Sequence, residues 1–191
     1  MAILRQICKT TFHLEPLFLL APFCKNKLEI TLAGRTNGLG STTNPDTKET
    51  TSSFSDPAAD IFRTSGIAAI RKFLLIDDDL KLEIIKRSIG AEADKGIVKF
   101  SCPNPKKLKT VHENFIGKLG RIRGLAYSCK VPPQLATRVG KIVRSNFSEY
   151  LKDVFIYNES NKCDKASKGY GLVLVGETMN GQGETVSTDR F

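Results

Sequence analysis

This 191-residue chain has few histidines and no closely spaced cysteines, which limits the catalytic and metal-binding sites that it could form. There are only two histidines, His13 and His112, so a histidine-based acid–base pair has little material. The five cysteines stand at positions 8, 24, 102, 129 and 163, without a CxxC pair, and neither histidine is spaced to complete a zinc site. The sequence therefore predicts no metal centre, and it indicates reduced, mostly buried thiols in an intracellular protein.

Glycine motifs of nucleotide-binding and hydrolase sites are also missing. The chain has no GxxxxGKS/T loop, no GxGxxG turn before a helix and no GxSxG elbow. Asp77, Asp78 and Asp79 are consecutive, so their carboxylates alternate in direction, as in a solvated turn more often than in a magnesium site. We expect a binding or interaction protein with no catalytic residue, no metal and no cofactor.

The apolar run at residues 14–23 is too short to cross a bilayer. It contains Glu15 and two prolines, and no small-residue cleavage pattern follows it. We therefore expect neither membrane insertion nor secretion.

Acidic residues are rare in one region, between Lys86 and Arg144. That span holds fourteen Lys or Arg and three acids, a net charge of +11, so the rest of the chain carries −2 of the total +9. A basic region of this kind attracts polyanions, of which nucleic acid is the most obvious, by releasing counterions. The alternative is an ordinary solvated surface.

Hydrophobic periodicity predicts an α+β protein with sheets covered by helices on one side. Residues 35–56, rich in Thr, Ser, Gly and Asn, are predicted to be a loop or flexible insertion, and residues 89–95 a hairpin turn. Helices are predicted at 13–23, from Asp56-Pro57 to about residue 75, and from Pro132-Pro133 onward. Strands are predicted at 28–34, 80–85, 96–102, 121–131, 154–157 and 170–175.

The last predicted helix continues a basic strand, and together they hold the candidate binding residues. Leu135, Val139, Ile142 and Val143 are predicted to form the apolar face of this helix. Phosphate contacts to RNA, or contacts to an acidic partner surface, are predicted for six basic residues: Arg121, Arg123, Lys130, Arg138, Lys141 and Arg144. Each of them is equally compatible with a solvated charge.

Four segments resemble the RNA 3′-terminal phosphate cyclase family and, within it, the eukaryotic cyclase-like branch. Residues 14–23 and 27–37 are similar to a helix–strand pair of that family. Residues 122–138 resemble the start of its insert domain, and residues 168–178 resemble a closing strand. The order and spacing of these segments agree over nearly the whole chain.

The resemblance implies a large domain of repeated βαβαββ units and a small α+β insert domain. Residues 1–119 then correspond to a partial large domain, 120–180 to the insert domain, and 181–191 to a tail that starts the return to the large domain. For the cyclase-like branch it implies a noncatalytic role in small-subunit rRNA processing in the nucleolus of the nucleus. The implied partners are pre-rRNA, a snoRNA particle and a ribosome-biogenesis GTPase, with no membrane.

The chain departs from the family pattern at two functional positions. At residues 86–96 the family has a glycine-rich hairpin, of which only Arg87 and Gly96 are retained, so a close backbone approach to phosphate is not expected. Cyclases use a histidine near the carboxyl terminus to accept a nucleotide, and neither His13 nor His112 matches it. We therefore expect the middle portion of a cyclase-like protein. Two alternatives are an active cyclase that closes a 2′,3′-cyclic phosphate with ATP, and a non-functional fragment whose amino-terminal part is marginally stable.

Overall fold

The computed structural model of the protein describes residues 2–37, 42–43, 50–51, 57–74, 79–89, 96–105, 107–112, 117–160, 163, 168–179 and 185–190. Within them, two four-stranded sheets each carry helices on one face. The α+β class predicted from the sequence is therefore confirmed.

The first sheet is built from one βαβαββ unit, in the strand order β1-β2-β6-β5. Strands β1 and β2 are parallel and are connected through α1, whereas β6 runs antiparallel to both β2 and β5. A short ladder of β3 and β4 lies in the loop that follows β2. The elements are β1 (Ala2–Lys9), α1 (Thr10–Leu20), a 3-10 turn (Ala21–Phe23), β2 (Leu28–Arg35), β3 (Thr42–Thr43), β4 (Thr50–Thr51), α2 (Ala59–Ile61), a π-helical turn (Phe62–Gly66), α3 (Ile67–Phe73), β5 (Lys81–Lys86) and β6 (Gly96–Cys102).

The core of the first unit lies between this sheet and its helices. Strand alternation turns Leu32, Val98 and Phe100 towards α1 and α3, and all three are almost completely buried. The ring of Phe18 stacks on Phe100 with centroids 4.7 Å apart and touches Phe62 at 5.3 Å. These aromatic contacts fix how the helices sit on the sheet.

Three features of this unit differ from the predictions. Strand β1 was not predicted at all. The helix predicted to start at Asp56-Pro57 begins at Ala59, and no side chain caps it. Helix α1 starts earlier than predicted, at Thr10, and is buried on one face only: its outer face exposes Phe12, Leu19 and Leu20, and Phe23 follows in the 3-10 turn.

The predicted loop and hairpin fall partly outside the described residues. Strand β2 continues to Arg35, and only the β3–β4 ladder of the loop is described. The pairing of β5 with β6 confirms the hairpin, while residues 90–95 of its turn and Asp56 lie outside the described residues.

The second sheet has the strand order β10-β9-β7-β8, and α4 covers one of its faces. Strands β7 and β8 are parallel and are joined through α4, while β9 pairs antiparallel with β7 and with β10. The predicted β-α-β-β order is confirmed, and residues 185–190, placed in a tail by the resemblance, form a fourth strand. The elements are β7 (Lys118–Cys129), α4 (Pro133–Ser148), β8 (Asp153–Glu159), β9 (Gly169–Met179) and β10 (Thr185–Arg190).

The buried positions of helix α4 are small residues, and of the larger apolar residues predicted to face the core Val143 packs against the same cluster. Ala136 and Gly140 are its buried positions, and a Cβ atom on Gly140 would lie 3.2 Å from Cγ2 of Ile156. Because the helix presents Ala136 and Gly140 to the sheet, Ile142, which was predicted to be in the core, points outward and is 50% exposed. Leu135, Val139 and Val143 are half-buried at the flanks.

Apolar contacts join the second sheet to the first unit on the face opposite α4. Tyr127, Cys129 and Val173 form a buried cluster with Ile89, which directly follows the first sheet. Ala58 and Ile61, at the start of the first unit's second helix, pack against this cluster. The two sheets therefore share a core at this end of β7.

A buried ion cluster reinforces that junction. Arg87 is 2% exposed, and its guanidinium bonds Asp60 at 2.8 Å and Glu159 of β8 at 3.0 Å. The same guanidinium lies 4.5 Å from the ring centroid of Tyr127. Arg63, in the π-helical turn, binds Glu159 at 2.8 Å and Asp60 at 3.2 Å. Because an unpaired charge is costly to bury, these contacts constrain how the sheets meet.

The prediction that the cysteines are reduced is wrong for one pair. Cys129 at the end of β7 and Cys163 are joined by a disulfide, with Cα atoms 5.5 Å apart. The two cysteines are 34 residues apart in sequence. An isolated β-bridge between the backbones of Arg87 and Cys163 places Cys163 beside the junction of the two sheets. Cys24 and Cys102 are free thiols, and burial raises the pKa of Cys102 to about 11.

Replacement of Phe100 by alanine tests the first core. We expect Phe100→Ala to lower the free energy of unfolding by about 3–5 kcal/mol, because it removes a completely buried ring on which Phe18 stacks. Leu20→Ala, at an exposed position of α1, is the matched control and should change it by no more than about 0.5 kcal/mol. Urea denaturation followed by far-ultraviolet circular dichroism measures both, and equal losses would contradict this core assignment.

The acid limb of the stability curve tests the ion cluster. Partial burial tends to raise the pKa of Glu159, but hydrogen bonds and charge attraction from Arg63 and Arg87 outweigh it and hold the pKa at about 2, below the usual 4.5. The stabilisation is therefore complete above pH 4.5 and is lost as the pH falls towards 2. We expect Glu159→Gln to cost about 1–3 kcal/mol at pH 7, with the difference from the parent protein vanishing across that window.

Urea denaturation at a series of pH values from 7 to 2 measures the difference in free energy of unfolding between the parent protein and the variant. Contributions from carboxylates that both proteins contain cancel in this difference. Glu83→Gln, which removes an exposed carboxylate of β5, is the control and should have little effect at any pH. A Glu159→Gln deficit that stayed constant down to pH 2 would show that the carboxylate charge is not what joins the sheets.

Candidate nucleic-acid interface

Helix α4 presents the most exposed basic surface among the candidate residues. Pro133 lies in its first turn, where proline's missing N–H costs no hydrogen bond, and Ala136 and Gly140 hold its inner face on the sheet. Arg138, Lys141 and Arg144 are exposed and follow one another at three-residue intervals. That spacing arranges them in one oblique stripe along the outside of the helix.

No acidic residue interrupts this stripe. Residues 133–148 contain three basic and no acidic side chains, so the helix carries a local charge of +3. Glu149 follows only after the last turn. The stripe has the charge and exposure needed to contact several phosphates of a polyanion.

The stripe ends beside an exposed aromatic pair on β8. The guanidinium carbon of Arg144 lies 5.7 Å from the ring centroid of Phe155, within the range of a cation–π contact. The Phe155 ring is in edge contact with Tyr157, with centroids 4.6 Å apart. Since β8 is the outermost strand of the described sheet, Arg144 reaches these rings from the flank of α4.

Arg121 and Arg123 lie on the opposite face of the sheet from α4. Their neighbours Ile122 and Gly124 point to the helix side, where a Cβ on Gly124 would collide with Ile156. Strand register aligns Arg121 with Asp153 and Glu177, and Arg123 with Phe155. The structure thus separates two of the six candidates from the helical stripe.

Both of these arginines are engaged by carboxylates. Arg121 donates a hydrogen bond to Glu177, and Arg123 binds Asp153 in a bidentate fashion at 2.6 and 2.8 Å. The hydrogen bonds to Asp153 raise the pKa of Arg123, and the same bonds lower the pKa of Asp153. A phosphate that contacted either arginine would compete with a carboxylate.

Lys130 stands in the turn that connects β7 to α4. It is exposed and adopts a φ of 50°, in the left-handed region. This turn carries Lys130 to the same end of the sheet as the start of the helix.

The two remnants of the glycine-rich hairpin are structural. Arg87 lies inside the ion cluster rather than on a surface. Gly96 faces Gly34 across the β2–β6 ladder, and a Cβ there would lie 2.8 Å from the Gly34 carbonyl oxygen and 2.9 Å from Cβ of Ser88. Glycine at this position therefore permits close strand packing.

Neither a metal centre nor a membrane span is found in the part of the chain that the structure describes. None of its groups of His, Cys, Asp and Glu side chains could hold a metal ion, and none of its helices is both long and apolar enough to cross a bilayer. Of the acidic run, Asp77 and Asp78 lie outside the described residues, and Asp79 pairs with Lys27 at 3.1 Å.

A cleft of about 360 Å³ opens beside the aromatic pair, and no sequence pattern predicted it. Leu125, Val173 and Val175 line it on the sheet side, and Tyr157 forms part of its wall. Arg63 and Thr64 enter from the π-helical turn of the first unit. Arg63 and Glu159 are 96 residues apart in sequence, so only the tertiary fold brings them together. In the sequence, the alternation of Phe155 and Tyr157 along the predicted strand was the pattern that indicated two aromatic side chains on one face of the sheet.

Residues 116–188 match the family of the RNA 3′-terminal phosphate cyclase (RTC) insert domain. The chain is 36% identical over 172 residues to the mouse RNA 3′-terminal phosphate cyclase-like protein, covering 89% of this chain and 42% of that protein. It is 33% identical over 172 residues to the Drosophila melanogaster probable RNA 3′-terminal phosphate cyclase-like protein, covering 89% and 41%. The rRNA processing protein rcl1 of Schizosaccharomyces pombe is 34% identical over 181 residues, covering 91% and 46%.

The chain spans less than half the length of these relatives. The matched residues contain β7, α4, β8 and β9 completely and the first four residues of β10. The resemblance drawn from separate sequence segments is thus confirmed by alignment over about nine tenths of the chain. The chain is therefore similar over about nine tenths of its length to the RNA 3′-terminal phosphate cyclase-like proteins, and its residues 116–188 match the insert domain of the cyclase family.

Proposed function

We propose that this protein is a noncatalytic RNA-binding factor in the processing of small-subunit rRNA. The observation that carries the proposal is the uninterrupted basic stripe of α4, displayed on the outside of the insert domain. One relative is named for rRNA processing, which supports a role in ribosome biogenesis. The stripe supplies a physical means for that role, because phosphate contacts dominate protein–nucleic acid affinity.

Arg138, Lys141 and Arg144 make the principal phosphate contacts in this proposal, with Lys130 near the start of the helix. A phosphodiester chain that follows the outer side of α4 meets Arg138, Lys141 and Arg144, and the helix itself holds no acidic residue that would compete for them. Arg121 and Arg123 take a secondary role, since their guanidinium groups hold Glu177 and Asp153. The same positive surface also suits an acidic protein partner, which remains the competing occupant.

Pre-rRNA and a snoRNA particle of the small-subunit processome are the proposed RNA partners, and a ribosome-biogenesis GTPase is the proposed protein partner. The protein is accordingly proposed to act in the nucleolus of the nucleus. The excess positive charge of the 86–144 region supports an RNA partner. Within that region, Arg138, Lys141 and Arg144 form a continuous exposed stripe on α4.

Loss of the stripe tests the proposal in solution. We expect the triple variant Arg138→Ala, Lys141→Ala and Arg144→Ala to bind RNA more weakly. Its plot of log affinity against log salt should be shallower by about 2, since each phosphate contact to single-stranded RNA contributes roughly 0.7 to the slope. Fluorescence anisotropy with a labelled oligonucleotide over a range of salt concentrations gives both quantities.

The matched control removes the same amount of charge elsewhere. Lys25, Lys81 and Lys107 are exposed in and around the first unit, and their replacement by alanine should leave the slope unchanged. Equal slope losses in the two triple variants would mean that the positive charge acts only generically. In cells, ultraviolet crosslinking of the tagged protein should recover pre-rRNA or snoRNA at defined positions, and the stripe variant should lose these crosslinks.

Incubation with ATP tests the noncatalytic part of the proposal. A cyclase passes through a covalent nucleotidyl-protein, which requires a nucleophile. Among the described residues, Nε2 of His13 is buried without a hydrogen-bond partner, and His112 is exposed in the segment before β7. With ATP labelled in the α-phosphate we expect no label on the protein, and a labelled band that survives denaturation would establish cyclase chemistry instead.

A further inference from the structure

The face of the insert domain opposite α4 carries two large aromatic side chains in the open. Phe155 is 44% exposed and Tyr157 is 58% exposed, although residues of this size usually bury most of their surface. They are two residues apart on β8, so strand geometry places both on the same side. Their ring centroids lie 4.6 Å apart, so the two rings contact each other while both remain exposed to solvent.

The cleft beside Tyr157 combines an apolar lining with a charged rim. Its volume of about 360 Å³ is at the small end of the range of ligand pockets, roughly 300–1,000 Å³. Leu125, Val173 and Val175 provide the apolar lining. Arg63, Arg123 and Glu159 stand at the rim, where Arg63 is paired with Glu159 and Arg123 with Asp153. A flat, partly polar ring suits this combination better than an aliphatic chain.

Positive charge lies next to this aromatic face. Arg144 contacts the Phe155 ring from the flank of the helix, so the phosphate-binding stripe and the aromatic pair meet at the β8 edge. A ligand that crosses this edge encounters cations first and aromatic faces next. Alternating phosphates and bases match that order of chemical groups.

We propose that the β8 face binds unpaired RNA bases, with one base stacked on Tyr157 at the mouth of the cleft and a neighbouring base against Phe155. The proposal rests on RNA binding by α4 and assigns to it a specificity for single strands. Stacking on exposed aromatic residues of a sheet is a common means of single-strand recognition. In a duplex the bases are stacked inside the helix and cannot reach these rings.

The double variant Phe155→Ala, Tyr157→Ala tests this assignment in the full chain. Binding of a fluorescein-labelled single-stranded 12-mer should weaken at least about fivefold for each base that loses its stacking partner. The salt slope should stay at the parent value, because no phosphate contact is removed. Binding of a perfectly paired RNA duplex should be unchanged.

Two further variants separate stacking from general apolar contact and from unfolding. Tyr157→Phe keeps the aromatic face and should retain single-strand affinity, whereas Phe155→Leu, Tyr157→Leu keeps apolar bulk and should lose it. Tyr150→Ala removes another exposed aromatic residue, 81% exposed just after α4, and should have no effect. Thermal unfolding followed by circular dichroism should give the same midpoint for all of these proteins.

The outcomes distinguish this inference from the function on which it rests. If the parent protein binds no RNA at all, both proposals fail. If it binds single strands and duplexes equally, and the aromatic variants match the parent, the stripe alone binds RNA and the base-stacking face is refuted. Displacement of the 12-mer from the parent by poly-glutamate at an equal charge concentration would also refute it, and would identify an acidic protein surface as the occupant.

Discussion

The arrangement of this molecule depends on the burial of a single guanidinium group. Arg87 follows β5 of the first sheet, yet its charge is neutralised by Asp60, at the start of a helix, and by Glu159, at the end of β8 in the second sheet. Removing either carboxylate would leave the buried charge with one partner fewer, which destabilises the folded state. The cluster therefore constrains where the insert domain sits, and the apolar contacts of Ile89 with Tyr127 complete the junction.

That junction divides one face of the second sheet into two regions with different properties. Near Tyr127 and Cys129 the face is closed by the first unit and by a disulfide. Towards Arg123 and Tyr157 it is open and becomes the cleft. Glu159 belongs to both regions, since it binds Arg87 on the buried side and Arg63 at the rim. The constraint that holds the two sheets together thus also shapes the surface assigned to RNA bases.

Much of the fold could be predicted because alternation and helical spacing are local signals. Strands β2, β5, β6, β7, β8 and β9 and helix α4 were identified from the sequence, and the segment resemblance led to the insert domain. The wrong prediction for Ile142 and the missed strand β1 have a common cause, since both depend on contacts with another element of the fold. Ile142 was assigned to the core from its spacing, but the helix is turned so that Ala136 and Gly140 face the sheet. Strand β1 was missed, and it acquires its identity through parallel pairing with β2.

The sequence alone determined the α+β class, the family resemblance and the concentration of positive charge, because each of these is carried by residue type and short spacing. Tertiary structure decided which basic residues share a surface. It separated Arg121 and Arg123 from the α4 stripe, since neighbouring side chains of a strand point to opposite faces. It also buried Arg87, which looked like part of the basic surface, and joined Cys129 to Cys163. These outcomes depend on contacts between residues tens of positions apart, which chain folding alone brings within a few ångströms.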